Sequence, residues 1–91
     1  MNPVKTDSRP DPILTLVDHY LSIHGKRIWP SERAEIVHIA RGQKGVEVAQ
    51  MACRSPETIR ARRKRIYRKL HVSGAMELQS KLLQFALDTP F

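Results

Sequence analysis

Residues 58–70 limit the possible folds of this chain more than any other segment, because their few apolar side chains recur at helical spacing among many cations. Ile59 and Ile66 point in nearly the same direction when the chain turns by about 100° per residue. Ser55 followed by Pro56 supplies a helix start, with serine as the N-cap and proline in the first turn. We therefore predict an amphipathic basic helix that buries one narrow side.

The chain before this segment divides into a tail and a first helix. Residues 1–11 lack apolar periodicity and are predicted to be a flexible tail. Asp11 suits an N-cap and Pro12 suits a first turn, so a helix over 12–25 is predicted. Its broad apolar stripe either packs back on the chain or forms a dimer contact, and the pattern favours neither.

Three further helices are predicted beside the basic one, in a domain over 28–88. One ends at Gly42, a short one follows Gly45, and a last one over 74–86 is capped by Ser73. No strand-like alternation occurs, so the fold class is all-α, with four helices in the domain and one before it. The apolar stripe of the first helix consists of Ile13, Leu14, Leu16, Val17, Tyr20, Leu21 and Ile23. The candidate core positions of the domain are Ile36, Val37, Ile39, Ala40, Val46, Val48, Ala49, Ala52, Ile59, Ile66 and Leu70, and the apolar side of the last helix consists of Ala75, Leu78, Leu82, Phe85 and Ala86.

Positive charge is concentrated in and just before the basic helix. The formal net charge is +7, and eight of the sixteen lysine and arginine residues lie between Arg54 and Lys69. No acidic residue occurs from Thr58 to Met76. A focused cluster of this kind favours a polyanionic partner, most often nucleic acid. Because the A-form major groove excludes a helix, the predicted partner is double-stranded DNA rather than RNA.

On a helical wheel, the side of this helix opposite Ile59 is almost wholly cationic. Arg60, Ala61 and Lys64 lie there together with Glu57, and we predict that these four residues read bases. In the major groove, arginine and lysine donate to guanine, alanine packs on a thymine methyl group, and glutamate accepts from cytosine.

Further cations border this side. Arg62 and Arg63 lie near the core direction, where their alkyl stems are expected to cover apolar surface while the guanidinium groups reach water. Cations at the margins of a groove-binding helix neutralise phosphates and set its register. The candidates for such contacts are Lys44, Arg54, Arg62, Arg63, Arg65 and Arg68.

No pattern typical of a catalytic or metal site is present. The four histidines have no metal-ligand spacing with one another or with Cys53, and acidic residues are scattered singly. We predict no enzyme activity, no cofactor and no metal. Cys53 is predicted to be a small packed residue in a reducing compartment. With no apolar run of the ~18 residues that span a bilayer, a cytoplasmic protein without membrane contact is expected.

Several short motifs follow one another from residue 28 to residue 86 without a gap. They are Ala40-Arg41-Gly42, Glu47-Val48-Ala49, Ser55-Pro56-Glu57-Thr58-Ile59-Arg60 and Ile66-Tyr67-Arg68-Lys69-Leu70-His71-Val72, after a partial match at 28–36 that keeps Glu32. In this order they resemble the LuxR/NarL-type helix-turn-helix domains, which carry Ala-x-Gly, Glu-Ile-Ala, Ser-x-x-Thr-Val-Lys and Ile-x-x-Lys-Leu-x-Val.

The resemblance implies a DNA-binding domain of a bacterial transcription regulator, associated with the nucleoid. Residues 46–52 would position the domain, and residues 56–70 would enter the major groove. The resemblance implies base contacts by Arg60, Ala61 and Lys64. It implies backbone contacts by Ser55, Thr58 and Lys69. The family's last helix often forms a homodimer contact. The candidates for dimer or partner contacts are Leu14, Val17, Leu21, Leu78, Leu82 and Phe85.

Some positions depart from the family pattern. Ala52 and Cys53 replace the leucine-glycine pair of the turn. Trp29 replaces a capping threonine and is expected to anchor the core or two helices.

Two functions are compatible with these observations. The first is a transcription regulator that binds a two-fold-related DNA site as a homodimer. The alternative is a small interaction protein whose first helix binds and modulates another regulator or RNA polymerase, with DNA contact secondary.

Overall fold

The computed structural model describes residues 11–25 and 27–89, which form five α-helices. They are α1 (Pro12–His24), α2 (Pro30–Ala40), α3 (Gly45–Met51), α4 (Pro56–Leu70) and α5 (Ala75–Asp88). No strand occurs in these two ranges, which confirms the all-α class. The predicted flexible tail lies outside the described residues except for Asp11, which is the N-cap of α1.

Local signals explain where the helices begin. The Asp11 carboxylate accepts a backbone hydrogen bond from the start of α1, and the Ser55 hydroxyl accepts one from the start of α4, so both predicted N-caps are confirmed. The N-cap of α5 is Gly74, so the prediction for Ser73 is wrong. The Ser73 N–H instead donates to the Glu77 carboxylate at 2.7 Å, and Glu77 lies in the first turn of α5.

The same left-handed turn ends α2, α3 and α4. Its positive φ occurs at Gly42 (79°), Cys53 (53°) and His71 (57°), and only one of these residues is a glycine. The N–H of the following residue bonds to a carbonyl five residues back, as from Arg54 to Ala49 at 2.9 Å. Cys53 is exposed, so the prediction that it packs is wrong. A side chain in this conformation costs about 1–2 kcal/mol relative to ordinary helical backbone.

The main core lies between α1, α2, α4 and α5. Val17, Ile36, Ile66 and Leu78 have no exposed surface, and one residue of this set comes from each helix. Tyr20 adds a second buried residue from α1. The first helix therefore packs back on the rest of the chain, which is one of the two arrangements that its stripe allowed.

This packing corrects three of the predicted partner contacts. Val17, Leu78 and Leu82 are at most 3% exposed, so the prediction that they contact a dimer partner is wrong. Their side chains already pack on this chain's own core. The other three candidates are half-buried against the same core: Leu14, Leu21 and Phe85.

A second, smaller cluster joins α3 to α4. Val48 and Ala49 of α3 pack on Ile59, and only these three buried residues form it within the described chain. Because α3 has one protected side, most of its surface faces water. Two predicted core positions, Val46 and Ala52, are exposed, and these predictions are wrong. Ile23, at the end of the apolar stripe of α1, is exposed as well.

Candidate nucleic-acid interface

Two acidic residues of α2 divide the cations of α4 into two sets. Glu32 and Glu35 lie nearly one turn apart and are 0% and 1% exposed. Their carboxylates contact four cations of α4, which we call the paired side. The paired side consists of Arg62, Arg63, Arg65 and Lys69.

The Glu35 carboxylate is bound to the most deeply buried of these cations. Arg63 Nε donates to Glu35 Oε2 at 2.8 Å, and Arg63 Nη2 donates to the Gln43 carbonyl at 2.8 Å. Arg62 Nη1 lies 3.7 Å from the other carboxylate oxygen. The expectation that the Arg63 guanidinium reaches water and a phosphate is therefore wrong, because the positive charge of Arg63 neutralises the buried carboxylate of Glu35.

The Glu32 carboxylate accepts three hydrogen bonds. Arg65 Nε donates to Oε2 at 2.8 Å, whereas Lys69 Nζ at 2.8 Å and the Trp29 backbone N–H at 2.9 Å donate to Oε1. Burial acts to raise the pKa of Glu32, but the hydrogen bonds from Lys69, from the Trp29 backbone and from Arg65 outweigh it. The pKa of this carboxyl is therefore lowered, and the glutamate is held in its charged form.

The Trp29 ring covers the same two cations. Lys69 Nζ lies 4.3 Å from the centre of the ring, and Arg65 Cζ lies 5.2 Å from it. The side chain connects the start of α2 to α4 but does not enter the core, since Trp29 is 54% exposed. Of the two roles expected for Trp29, an anchor in the core or between two helices, the structure shows the second.

The opposite side of α4, which we call the outer side, is exposed along its length. Its members are Glu57, Arg60, Ala61, Lys64 and Arg68. None of its charged groups forms an ion pair or hydrogen bond with any residue in 11–25 or 27–89. From first member to last the outer side extends about 16 Å, at about 1.5 Å per residue. Three free cations and one carboxylate therefore face solvent together.

Both edges of the outer side carry further polar groups. Lys44 and Arg60 line a shallow cavity of about 310 Å³ between α3 and α4. Arg54 lines a second cavity, of about 330 Å³, between α2 and the turn. The exposed hydroxyls of Ser55 and Thr58 lie 2.8 Å apart at the start of α4. The structure thus places Lys44 beside Arg60 of the outer side and Arg54 beside Arg62 of the paired side, with Ser55 and Thr58 at the start of α4.

Sequence reasoning missed the two carboxylates that hold the paired side. A signal was present, because Glu32 and Glu35 share one side of α2 with Ile36 and Ile39, which are fully buried. Acidic residues on an apolar side of a helix indicate buried ion pairs, since an unpaired carboxylate is costly to bury.

Comparison with models of known families finds none that matches the chain, and comparisons with curated proteins and with solved structures find no match either. No helix within the described ranges is long and apolar enough to cross a membrane. Within the same ranges, no three histidine, cysteine or acidic side chains are grouped so that they could hold a metal ion. Fold and site thus define an all-helical protein with one exposed cationic helix side.

Proposed function

We propose that this chain binds double-stranded DNA by placing α4 in the major groove, and that it acts as a transcription regulator. The observation that carries the proposal is the outer side of α4, where Arg60, Lys64 and Arg68 are exposed without internal partners among the described residues. Like charges at this spacing repel one another by a few tenths of a kcal/mol per pair. Phosphates and base acceptors would remove that repulsion.

The order of α3, a short turn and α4 supports the same proposal. A short helix, a turn of three or four residues and a longer helix form the DNA-binding helix-turn-helix, in which the second helix enters the groove. The major groove is about 12 Å wide and accepts one helix. In this arrangement Arg60 and Lys64 donate to guanine, Ala61 packs on a thymine methyl group, and Glu57 accepts from cytosine.

The edges of the outer side would bind the two DNA strands. Lys44 lies at the edge formed by α3, and Arg54 lies with the exposed Ser55 and Thr58 hydroxyls at the edge near α2. Contacts of this kind fix the register of a recognition helix without reading sequence.

A homodimer through α5 fits the exposed surface better than the contacts predicted from sequence. Met76, Leu83 and Leu87 are 84%, 61% and 73% exposed, and they recur after seven and four residues on one side of α5. This is the spacing of a helix–helix seam. Leu83→Glu is expected to yield a monomer in sedimentation analysis, whereas Lys81→Glu, on another side of α5, leaves the dimer intact. A monomeric wild-type protein contradicts this part of the proposal.

The alternative function, binding a regulator or RNA polymerase through α1, draws little support from this arrangement. Val17 and Tyr20 of α1 lie in the core, so the apolar stripe of that helix is largely occupied.

Selection of bound duplexes from a randomised DNA library at near-physiological salt tests the proposal. We expect an enriched motif with two inverted half-sites about one helical turn apart. The double variant Arg60→Ala/Lys64→Ala should lose the motif, whereas the control Lys81→Ala, which removes a charge from α5, should retain it. A pool that stays random, with binding lost as salt rises, overturns sequence-specific recognition and leaves only electrostatic attraction.

A further inference from the structure

We propose that Trp29, Arg65 and Lys69, the Trp29 patch, contact the sugar-phosphate backbone of DNA beside the groove that α4 enters. This inference rests on the proposed function and extends its footprint from α4 to the start of α2. The ring would pack on the apolar face of a deoxyribose, and the Arg65 guanidinium would donate to the adjoining phosphate, with the positive charge of Lys69 beside it.

The patch adjoins the outer side of α4. Arg65 follows Ala61 by one helical turn and precedes Arg68 by three residues, so its side chain neighbours both. The Trp29 ring lies against Arg65 and extends this surface toward α2. A DNA strand at this edge of α4 would therefore meet the patch without any change in the fold.

The charge of the patch suits a phosphate. Glu32 supplies one negative charge to two cations, so the patch keeps a net positive charge. Lys69 Nζ also donates to the Arg27 carbonyl at 2.8 Å, so Lys69 contributes its charge and Arg65 contributes the free donors. The Arg65 side chain remains 37% exposed despite its ion pair, so its guanidinium has donors that can face a phosphate.

Helix capping does not explain the presence of an indole at position 29. Trp29 is the N-cap of α2, but its side chain makes no capping hydrogen bond, and serine or threonine is preferred at this position. Only the Trp29 backbone N–H and the Glu32 carboxylate form a capping pair. A residue chosen for helix stability alone would be a small hydroxyl residue rather than a half-exposed indole.

Fluorescence provides a direct test, since Trp29 is the only tryptophan in the chain. Acrylamide quenching of the free protein is compared with quenching at saturation with the duplex enriched by selection. We expect the duplex to protect Trp29. The control is the double variant Trp29→Phe/Ile23→Trp, which moves the single tryptophan to α1. Ile23 is 56% exposed in the native chain, and the duplex should leave a tryptophan at that position unprotected.

The variant Trp29→Ser separates a DNA contact from a structural role. The introduced hydroxyl, three residues before Glu32, would complete a capping box and offset the loss of the ring's contacts with Arg65 and Lys69, so unfolding by urea should show stability close to wild type. Affinity for the enriched duplex should fall about fivefold, as expected when burial of roughly 40 Å² of apolar surface is lost at 25 cal/mol per Å².

The outcomes distinguish this inference from the function on which it rests. Protection of Trp29 with weaker binding by a stable Trp29→Ser variant supports the contact. If the enriched duplex binds but Trp29 stays as accessible as in the free protein, the contact is overturned while the groove assignment for α4 stands. If no duplex is enriched, the proposed function itself fails.

Discussion

The two sides of α4 carry the same types of residue in different physical states. On the paired side, Arg63 is 9% exposed and bound to a carboxylate that is 1% exposed. On the outer side, Arg60 and Lys64 are exposed and make no ion pair with the described residues. Cations on one helix can thus hold a fold together or remain free for a ligand. The position of two glutamates on α2, rather than the count of arginines on α4, decides which.

Removing a cation from the paired side should have the largest effect on stability. Arg63→Ala leaves Glu35 buried with Arg62 at 3.7 Å as its remaining cation, so we expect the free energy of unfolding to fall by about 3–5 kcal/mol. Urea titration followed by circular dichroism measures it.

A matched double variant isolates the charge effect. Replacing both partners, Glu35→Met with Arg63→Met, should recover most of the lost stability, because no unpaired charge stays buried. Arg60→Ala, from the outer side, should change the free energy of unfolding by less than about 0.5 kcal/mol. Equal losses for Arg63→Ala and Arg60→Ala would break the comparison between the two sides.

The same Arg60→Ala variant should show the opposite pattern in DNA binding. We expect the binding free energy to weaken by about 1–3 kcal/mol, with relaxed preference at one base position. Fluorescence anisotropy with the enriched duplex and its single-base variants measures both. Uniform weakening across all the duplexes would assign Arg60 to the backbone instead of a base.

Arg68 is expected to act through phosphates. Arg68→Ala should reduce the slope of log Kobs against log salt by about 0.9, the value for one phosphate contact, and should leave base preference unchanged. Titrations at several salt concentrations give the slope. The fold should be unaffected, since Arg68 is exposed and unpaired within the described chain.

Acid should destabilise the fold through the paired side of α4. The pKa of Glu32 is lowered in the folded protein, so the ionised carboxylate stabilises the fold fully above the ordinary glutamate pKa of 4.5. That stability is lost as the pH falls through the lowered pKa. Urea titrations across this range should show less pH dependence for Glu32→Gln than for wild type. An identical dependence would place the acid-sensitive group elsewhere.

The smallest expected effect concerns the turn before α4. Cys53 holds a φ of 53°, which glycine adopts without strain. Cys53→Gly should therefore stabilise the protein by about 0.5 kcal/mol, because relief of strain exceeds the greater flexibility of the unfolded chain. Thermal unfolding measures it. DNA affinity should not change, since both sides of α4 are retained.

The location of the helices could be predicted from sequence. Which of their side chains are buried against a neighbouring helix could not. Asp11 and Ser55 mark helix starts through short-range hydrogen bonds to their own backbone, so the signal is local. Val46 resembles Val48 in sequence, yet 54% of its surface is exposed, because the side of α3 that packs on α4 carries Val48 and Ala49 and not Val46. Which neighbour covers a side chain depends on contacts far apart in the chain.

The candidate site also has one part that could be predicted from sequence and one part that could not. Arg60, Ala61 and Lys64 were assigned to one exposed side by helical periodicity alone, because residues at this spacing share a direction whatever surrounds them. Arg65 is predicted from sequence as a phosphate contact bordering this side, but the structure binds it to Glu32, which lies 33 residues earlier in the chain.

The sequence by itself determined an all-α chain with a cationic helix near its middle, because helix periodicity, caps and charge are properties of neighbouring residues. Only the tertiary structure decided which cations are free. Packing α2 against α4 buries two carboxylates, and a buried carboxylate must recruit a cation to offset the loss of its hydration. The same packing places Trp29 over Arg65 and Lys69, a contact between residues more than thirty positions apart.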